Sequence, residues 1–178
     1  KDKGYQVLLL DSPIIPHLIQ KLESDNSGLT FVRVDSDHID NLIKKEETAI
    51  SKLSTEEQES LKTVVETIVP KQTYTVQLEA LDSSAAPFII TQPEFMRRMK
   101  EMSQTGGGGM FGMGNFPEMY NLVVNTNSDL ATSILNNEDK TVQENLVKQA
   151  LDLAKLSQNL LKGEALTAFV KRSFEMIK

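Results

Sequence analysis

Residues 141–177 read TVQENLVKQALDLAKLSQNLLKGEALTAFVKRSFEMI, and the architecture turns on them. Val142 to Leu161 has the spacing of one long helix with two apolar stripes. Leu146, Ala150, Leu153 and Leu160 follow steps of four and three, and Val147, Leu151, Ala154 and Leu161 repeat them one residue further round. A single stripe covers a helix's own domain; two adjoining stripes widen the apolar arc beyond that need. Lys162-Gly163 is a short break, after which Ala165, Leu166, Phe169, Val170, Phe174 and Ile177 give a second helix a broad apolar face. So short a turn makes the two helices neighbours. Between themselves they cannot hide this much apolar surface, which leaves two solutions. Either the pair lies across the sheet of its own domain, or the same pair from a second copy completes a four-helix bundle with two-fold symmetry. The dimer interface would then comprise Leu146, Ala150, Leu153, Leu160, Leu166, Phe169, Val170 and Phe174.

Toward the amino terminus, Ser128–Leu135 has the pattern of a short helix, and Thr141 with Glu144 suits the start of the long one. Glu118–Asn125, with Tyr120, Leu122 and Val124 alternating, predicts a strand. Thr73–Leu81 predicts another with one wet face; Asp82-Ser83-Ser84 is a turn, and Pro87–Thr91 a third strand expected to pair with Thr73–Leu81 as a hairpin. Ser54 and Glu57 form a capping box for a helix whose buried face is Leu61, Val64, Val65, Ile68 and Val69, stopped by Pro70. Further back, Tyr5–Leu10 and Leu29–Val34 predict strands around a helix capped by Ser12 with Pro13 at its first position, a small βαβ unit. The charged run Asp35–Glu47 closes it. The expected organisation is α+β, with a small α/β subdomain over residues 1–50 and a second domain over 51–178.

Six of the seven methionines fall between Met96 and Met119. Thr91 and Glu94 form a second capping box, opening a helix to about Met102 on which Phe95, Met99 and Met102 share a face with Met96 beside it. Met110, Phe111 and Met113 follow on a loop that contains Gly106–Gly109. Methionine is unbranched and polarizable, so such a surface adapts to differently shaped apolar partners. Four consecutive glycines oppose ordering, which argues against a packed core at this point. Phe95, Met96, Met99, Met102, Met110, Phe111 and Met113 are therefore the candidate partner-binding residues.

The chain has 178 residues, 25 acidic against 19 basic side chains and no cysteine. The acidic balance argues against a general nucleic-acid binder. Absent cysteines exclude disulfides, thiolate metal sites and cysteine nucleophiles. No apolar run approaches the ~18–20 residues of a membrane helix. His17 and His38 stand in no metal-pair spacing; Asp35, Asp37 and Glu46 match three positions of a calcium loop, but Ile39 and Asp40 break its pattern. Gly106–Gly109 lacks the lysine and Ser/Thr of a phosphate-binding loop, and Ser83 and Ser84 lack a nucleophile elbow. No catalytic or metal site is expected, hence no enzyme. The first residue is lysine, which suggests a piece of a longer chain.

The stretches Gly4-Tyr5-Gln6-Val7-Leu8-Leu9-Leu10, Pro87-Phe88-Ile89-Ile90-Thr91 leading into Met96-Arg97-Arg98-Met99-Lys100, and Met119-Tyr120-Asn121-Leu122-Val123-Val124-Asn125 resemble the carboxyl-terminal part of the bacterial heat shock protein 90 chaperones over essentially the whole length. The resemblance implies that residues 1–50 end a middle domain and that 51–178 are a dimerisation domain, a small mixed sheet with helices. It implies a homodimer through a four-helix bundle of the last two helices. It also implies a methionine-bearing helix that contacts unfolded or partly folded client proteins, a role falling on Phe95, Met96, Met99 and Met102, with Met110, Phe111 and Met113 a looser extension. ATP and magnesium would belong to domains absent here, so the fragment would hold no cofactor, and the parent would be a cytoplasmic stress-response ATPase that aids protein folding. No nucleic acid or membrane partner is implied. The alternative is a non-enzymatic scaffold whose methionine helix docks one dedicated folded partner.

Overall fold

A computed structural model of the chain describes residues 7–12, 14–34, 49–93, 96 and 119–177. These contain five helices, α1 (Ile15–Asp25), α2 (Thr55–Ile68), α3 (Asp129–Asn136), α4 (Lys140–Ser157) and α5 (Gly163–Ile177), and three strands, β1 (Tyr74–Glu79), β2 (Phe88–Thr91) and β3 (Tyr120–Asn125). The α+β class is as expected. The described residues fall into two compact units, one of those up to Arg33 with Met96, the other of those in 34–93 and 117–177.

The first unit departs from the expected βαβ. Val7–Leu10 and Leu29–Val34 form no strand, and Val7, Leu8, Leu9 and Leu10 stand exposed. An apolar run becomes a strand only where a neighbour takes its backbone N–H and C=O groups, and no sheet exists among the described residues of this unit. The helix between them is present but starts differently. Ile14 is its N-cap, Pro16 falls in the first turn, and Ser12 contributes its backbone carbonyl, which accepts from Ile15 N–H at 3.0 Å, rather than a side-chain cap. The helix ends at Asn26, whose backbone and side-chain N–H groups both reach Leu22 C=O, at 3.1 and 2.9 Å. Gly28 then turns the chain at φ +97°, a conformation that suits glycine.

In the second unit the strand order is β1-β3-β2, with β3 parallel to β1 and antiparallel to β2. The expected β1–β2 hairpin is thus corrected: β3 lies between them, Tyr74 facing Tyr120 on one side and Phe88 facing Val124 on the other. The reason is in the strands' burial. Leu122, Val123 and Val124 are all buried, so β3 takes the doubly covered centre, whereas Thr75 and Gln77 of β1 are exposed and suit an edge. α2 packs on β1 and α4 on β2, with α3 against both helices. The core between them is built on Leu61, Val65, Leu122, Val124, Ile134 and Val147. The capping box of α2 forms as read: Ser54 N–H donates to Glu57 Oε2 at 2.7 Å and Glu57 N–H to Ser54 Oγ at 3.2 Å. The Ser54 N–H, then its hydroxyl, holds the Glu57 carboxyl below its ordinary pKa. Thr91, expected to cap a helix, belongs to β2.

Placing β3 in the centre obliges the β1–β2 connection to pass its carboxyl end, and a buried polar knot accommodates the passage. Asn125 Oδ1 accepts from Leu81 N–H at 3.2 Å and from Asn127 N–H at 3.0 Å, while its Nδ2 donates to Asp82 C=O at 2.9 Å. Asn127 Nδ2 donates to Leu81 C=O at 3.0 Å and Ile50 C=O at 3.1 Å, and its Oδ1 accepts from Lys52 N–H at 2.7 Å. Ser51 Oγ donates to Thr126 Oγ1 at 2.9 Å, and Ser128 Oγ accepts from Ala131 N–H, capping α3. Four consecutive buried polar residues are thereby satisfied, which burial requires. Asn125→Ala would strand Leu81 N–H, Asn127 N–H and Asp82 C=O, and is expected to cost about 2–4 kcal/mol of stability. The urea midpoint measures it, and a loss under about 0.5 kcal/mol would show that the knot does not hold the fold.

Candidate functional site

The two stripes of α4 part company in the structure. Val147, Ala150, Leu151 and Ala154 are buried against the core, and Leu161 is buried beyond the helix end. Val142, Leu153 and Leu156 are exposed, Leu153 at 52%, with Leu160 exposed after the helix and Leu146 half-buried. α4 therefore has an inner face that its own domain covers and an outer face that it does not. The helix is shorter than its pattern suggests. Asp139, not Thr141, is the N-cap, its side chain accepting from Thr141 N–H at 2.8 Å. At the other end Asn159 adopts φ 56°, with Leu160 N–H bonded to Lys155 C=O at 2.8 Å and Asn159 N–H to Leu156 C=O at 3.0 Å. These are the two bonds of a Schellman turn, with asparagine in the left-handed position that glycine more often fills. The sequence expectation of a helix running to Leu161 misses it because the apolar spacing continues past the turn.

α5 has a single buried residue, Phe169. Leu166 is half-buried, Val170 exposed, and Phe174 and Ile177 exposed at 65% and 81%. Of the eight residues expected at a dimer interface, Ala150 and Phe169 lie inside the fold, Leu146 and Leu166 at its margin, and Leu153, Leu160, Val170 and Phe174 outside. Val142, Leu156 and Met176 are exposed apolar side chains that the expected set lacks; the step of three from Leu153 to Leu156 is the signal that finds the second of them.

The helices are joined by polar groups. Arg172 Nη2 donates to Asp152 Oδ2 at 2.6 Å and Arg172 Nε to Gln149 Oε1 at 2.9 Å. Gln149 Nε2 donates to Ser173 Oγ at 2.7 Å, and Ser173 Oγ to Phe169 C=O at 2.8 Å. Lys155 Nζ donates to the other Asp152 oxygen at 3.2 Å and stands 6.0 Å from the centre of the Tyr74 ring, itself stacked on Tyr120. Nothing in the sequence pattern marks these partners, because pairing across two helices depends on their crossing, not on spacing within either.

Of the methionine-surface residues, Met96 is half-buried and helical; Phe95, Met99, Met102, Met110, Phe111 and Met113 lie outside the described residues, as do Asp35, Asp37 and Glu46. Among the described residues no group of three His, Cys, Asp or Glu could hold a metal ion, and no helix is long and apolar enough to cross a membrane.

No protein-family model matches the chain. It is 42% identical to the chaperone protein HtpG of Porphyromonas gingivalis over 158 residues, which is 87% of this chain and 23% of that protein. The likeness to the chaperone proteins HtpG of Bacteroides fragilis and Bacteroides thetaiotaomicron is 31% and 32%, over 99% of this chain and 36% of theirs. The matched part is the carboxyl-terminal part of those proteins. The chain belongs to the HtpG family. It spans about a quarter to a third of the length of the HtpG relatives it matches. The alignment with the Bacteroides fragilis HtpG runs over 244 positions against 178 residues here, so that relative contains residues within the matched region that this chain lacks.

The division of α4 into inner and outer faces is open to direct measurement. Leu151→Ala should lower stability by about 2–5 kcal/mol. In protein diluted to the monomer, Leu153→Ala should lower it by less than about 1 kcal/mol. Equal losses in a thermal melt would mean that both faces are covered within one chain.

Proposed function

We propose that this chain is the dimerisation and client-contact module of a heat shock protein 90 type chaperone that assists protein folding. The observation that supports the reading most directly is the outer apolar face of the α4–α5 pair, which its own domain leaves in water. Exposed large apolar side chains gathered on two neighbouring helices, Leu153, Leu156 and Leu160 with Val170, Phe174 and Ile177, mark an interaction site. A second copy is the natural cover, since a two-fold axis lets the same side chains meet their counterparts and close a four-helix bundle. An interface of standard size buries about 1,600 Å² in all. Leu153, Leu156 and Leu160 with Val170, Phe174 and Ile177 would form its centre.

Membership of the HtpG family supports the chaperone role. The whole protein would be a cytoplasmic ATPase in which ATP and magnesium bind outside these 178 residues, and the module itself would carry out no chemistry. Holding two protomers together raises the effective concentration of their remaining domains, which favours closure of one on the other. The methionine-bearing segment, with Phe95, Met96, Met99 and Met102 and the looser Met110, Phe111 and Met113, would supply adaptable apolar contacts to clients that share no sequence.

Sedimentation at micromolar concentration is expected to give twice the chain mass, and Leu153→Glu with Phe174→Glu to give a folded monomer. A single-chain mass for the unaltered protein would refute the dimer. Met99→Glu is expected to weaken binding of several unrelated unfolded proteins severalfold while the mass of the assembly stays constant. If that variant instead splits the dimer, the two surfaces have been exchanged.

A further inference from the structure

The outer faces of α4 and α5 are usable by a partner only if the two helices keep a fixed angle and register, yet the packing between them supplies little to fix either. Phe169 is the one buried residue of α5. Leu166 is half-buried, and apolar contact is non-directional, so these two side chains do little to fix the roll and slide of the helix. The polar groups between the helices have the directionality that Phe169 lacks. Arg172 presents a planar fork, one N–H to Asp152 and another to Gln149, and both bonds are satisfied only at one rotation of α5. Gln149 passes the restraint on to Ser173, the next residue of α5, whose hydroxyl is anchored on Phe169 C=O. Asp152, with a side chain 15% exposed, lies between two cations. Arg172 comes from α5, while Lys155 leans over Tyr74 of β1. The orientation of α5 is in this way referred to the sheet as well as to α4.

We infer that Arg172, Asp152 and Gln149 are positioning residues for assembly: their bonds join two helices of one chain, and they set the pitch at which α5 presents Val170, Phe174 and Ile177 beside Leu153 and Leu156. This inference rests on the dimer reading above. The arginine is specific to the task. A lysine at 172 keeps the charge but presents a single point rather than a fork, so it reaches Asp152 or Gln149 and not both in fixed geometry. Largely shielded, charge-assisted bonds of this kind are directional and short, and loss of one partner leaves the other poorly solvated.

The test uses the full chain. Arg172→Ala is expected to weaken the dimer dissociation constant at least tenfold in a sedimentation dilution series, and Arg172→Lys to fall between it and the unaltered protein. Because the chain has no cysteine, Asn145→Cys and Lys171→Cys can take a spin-label pair that reads the α4–α5 distance without interference. In the monomeric Leu153→Glu, Phe174→Glu background, Arg172→Ala is expected to broaden that distance distribution, with the far-ultraviolet helix signal retained. A dissociation constant unchanged within twofold, or loss of dimer with an unbroadened distance, would overturn the positioning role. An unaltered protein that is monomeric throughout the series would instead overturn the dimer reading and the assembly role with it. The label distance would then report separately whether the clamp orients α5 at all.

Discussion

The fold of the second unit depends on the buried amides of Asn125 and Asn127. Once β3 occupies the middle of the sheet, the chain leaving β1 has to cross the end of β3 to reach β2, and the crossing residues are held there by side-chain amides rather than by a strand ladder. An amide both donates and accepts, so one asparagine satisfies an N–H and a C=O of the crossing chain at once. The same cluster ties Ile50 and Lys52 to the end of β3 and caps α3 through Ser128. Chain entry, strand order and the start of the helical layer thus share one set of bonds. Buried polar networks stabilise only when complete, and no buried side-chain polar atom among the described residues lacks a partner.

Above that sheet, α4 works as a two-sided element. Its inner face of Val147, Ala150, Leu151 and Ala154 is small enough to lie close on β2 and the neighbouring helices, and its outer face is richer in leucine. The Schellman turn at Asn159 ends the helix early and redirects the chain, so that α5 returns along α4. Burial of Leu161 beyond that turn anchors the connection. α5 is left with one buried aromatic and a polar clamp, an arrangement in which the core determines where α4 lies and hydrogen bonds determine how α5 lies on it.

The expected hairpin shows where pattern reading stops. Alternation and turn residues locate β1 and β2 well, since both depend on local backbone preference and on which face meets water. Which strand pairs with which depends on the burial available to each, and the apolar continuity of Leu122, Val123 and Val124 outranked the proximity of β1 and β2 along the chain. The same distinction explains the first unit. Val7–Leu10 has strand composition, yet among the described residues of that unit no strand pairs with it.

The amino-acid sequence by itself determined the α2 capping box, the approximate position of every helix and strand in the second unit, and the presence of two apolar stripes on α4. Each follows from interactions within a few residues or from periodicity along one element. Tertiary structure alone decided that β3 divides β1 from β2, which α4 stripe faces inward, that Ala150 and Phe169 belong to the core, and that Arg172 meets Asp152. These depend on how separate elements approach, and that is settled by the joint demand to bury apolar area while satisfying every polar group enclosed with it.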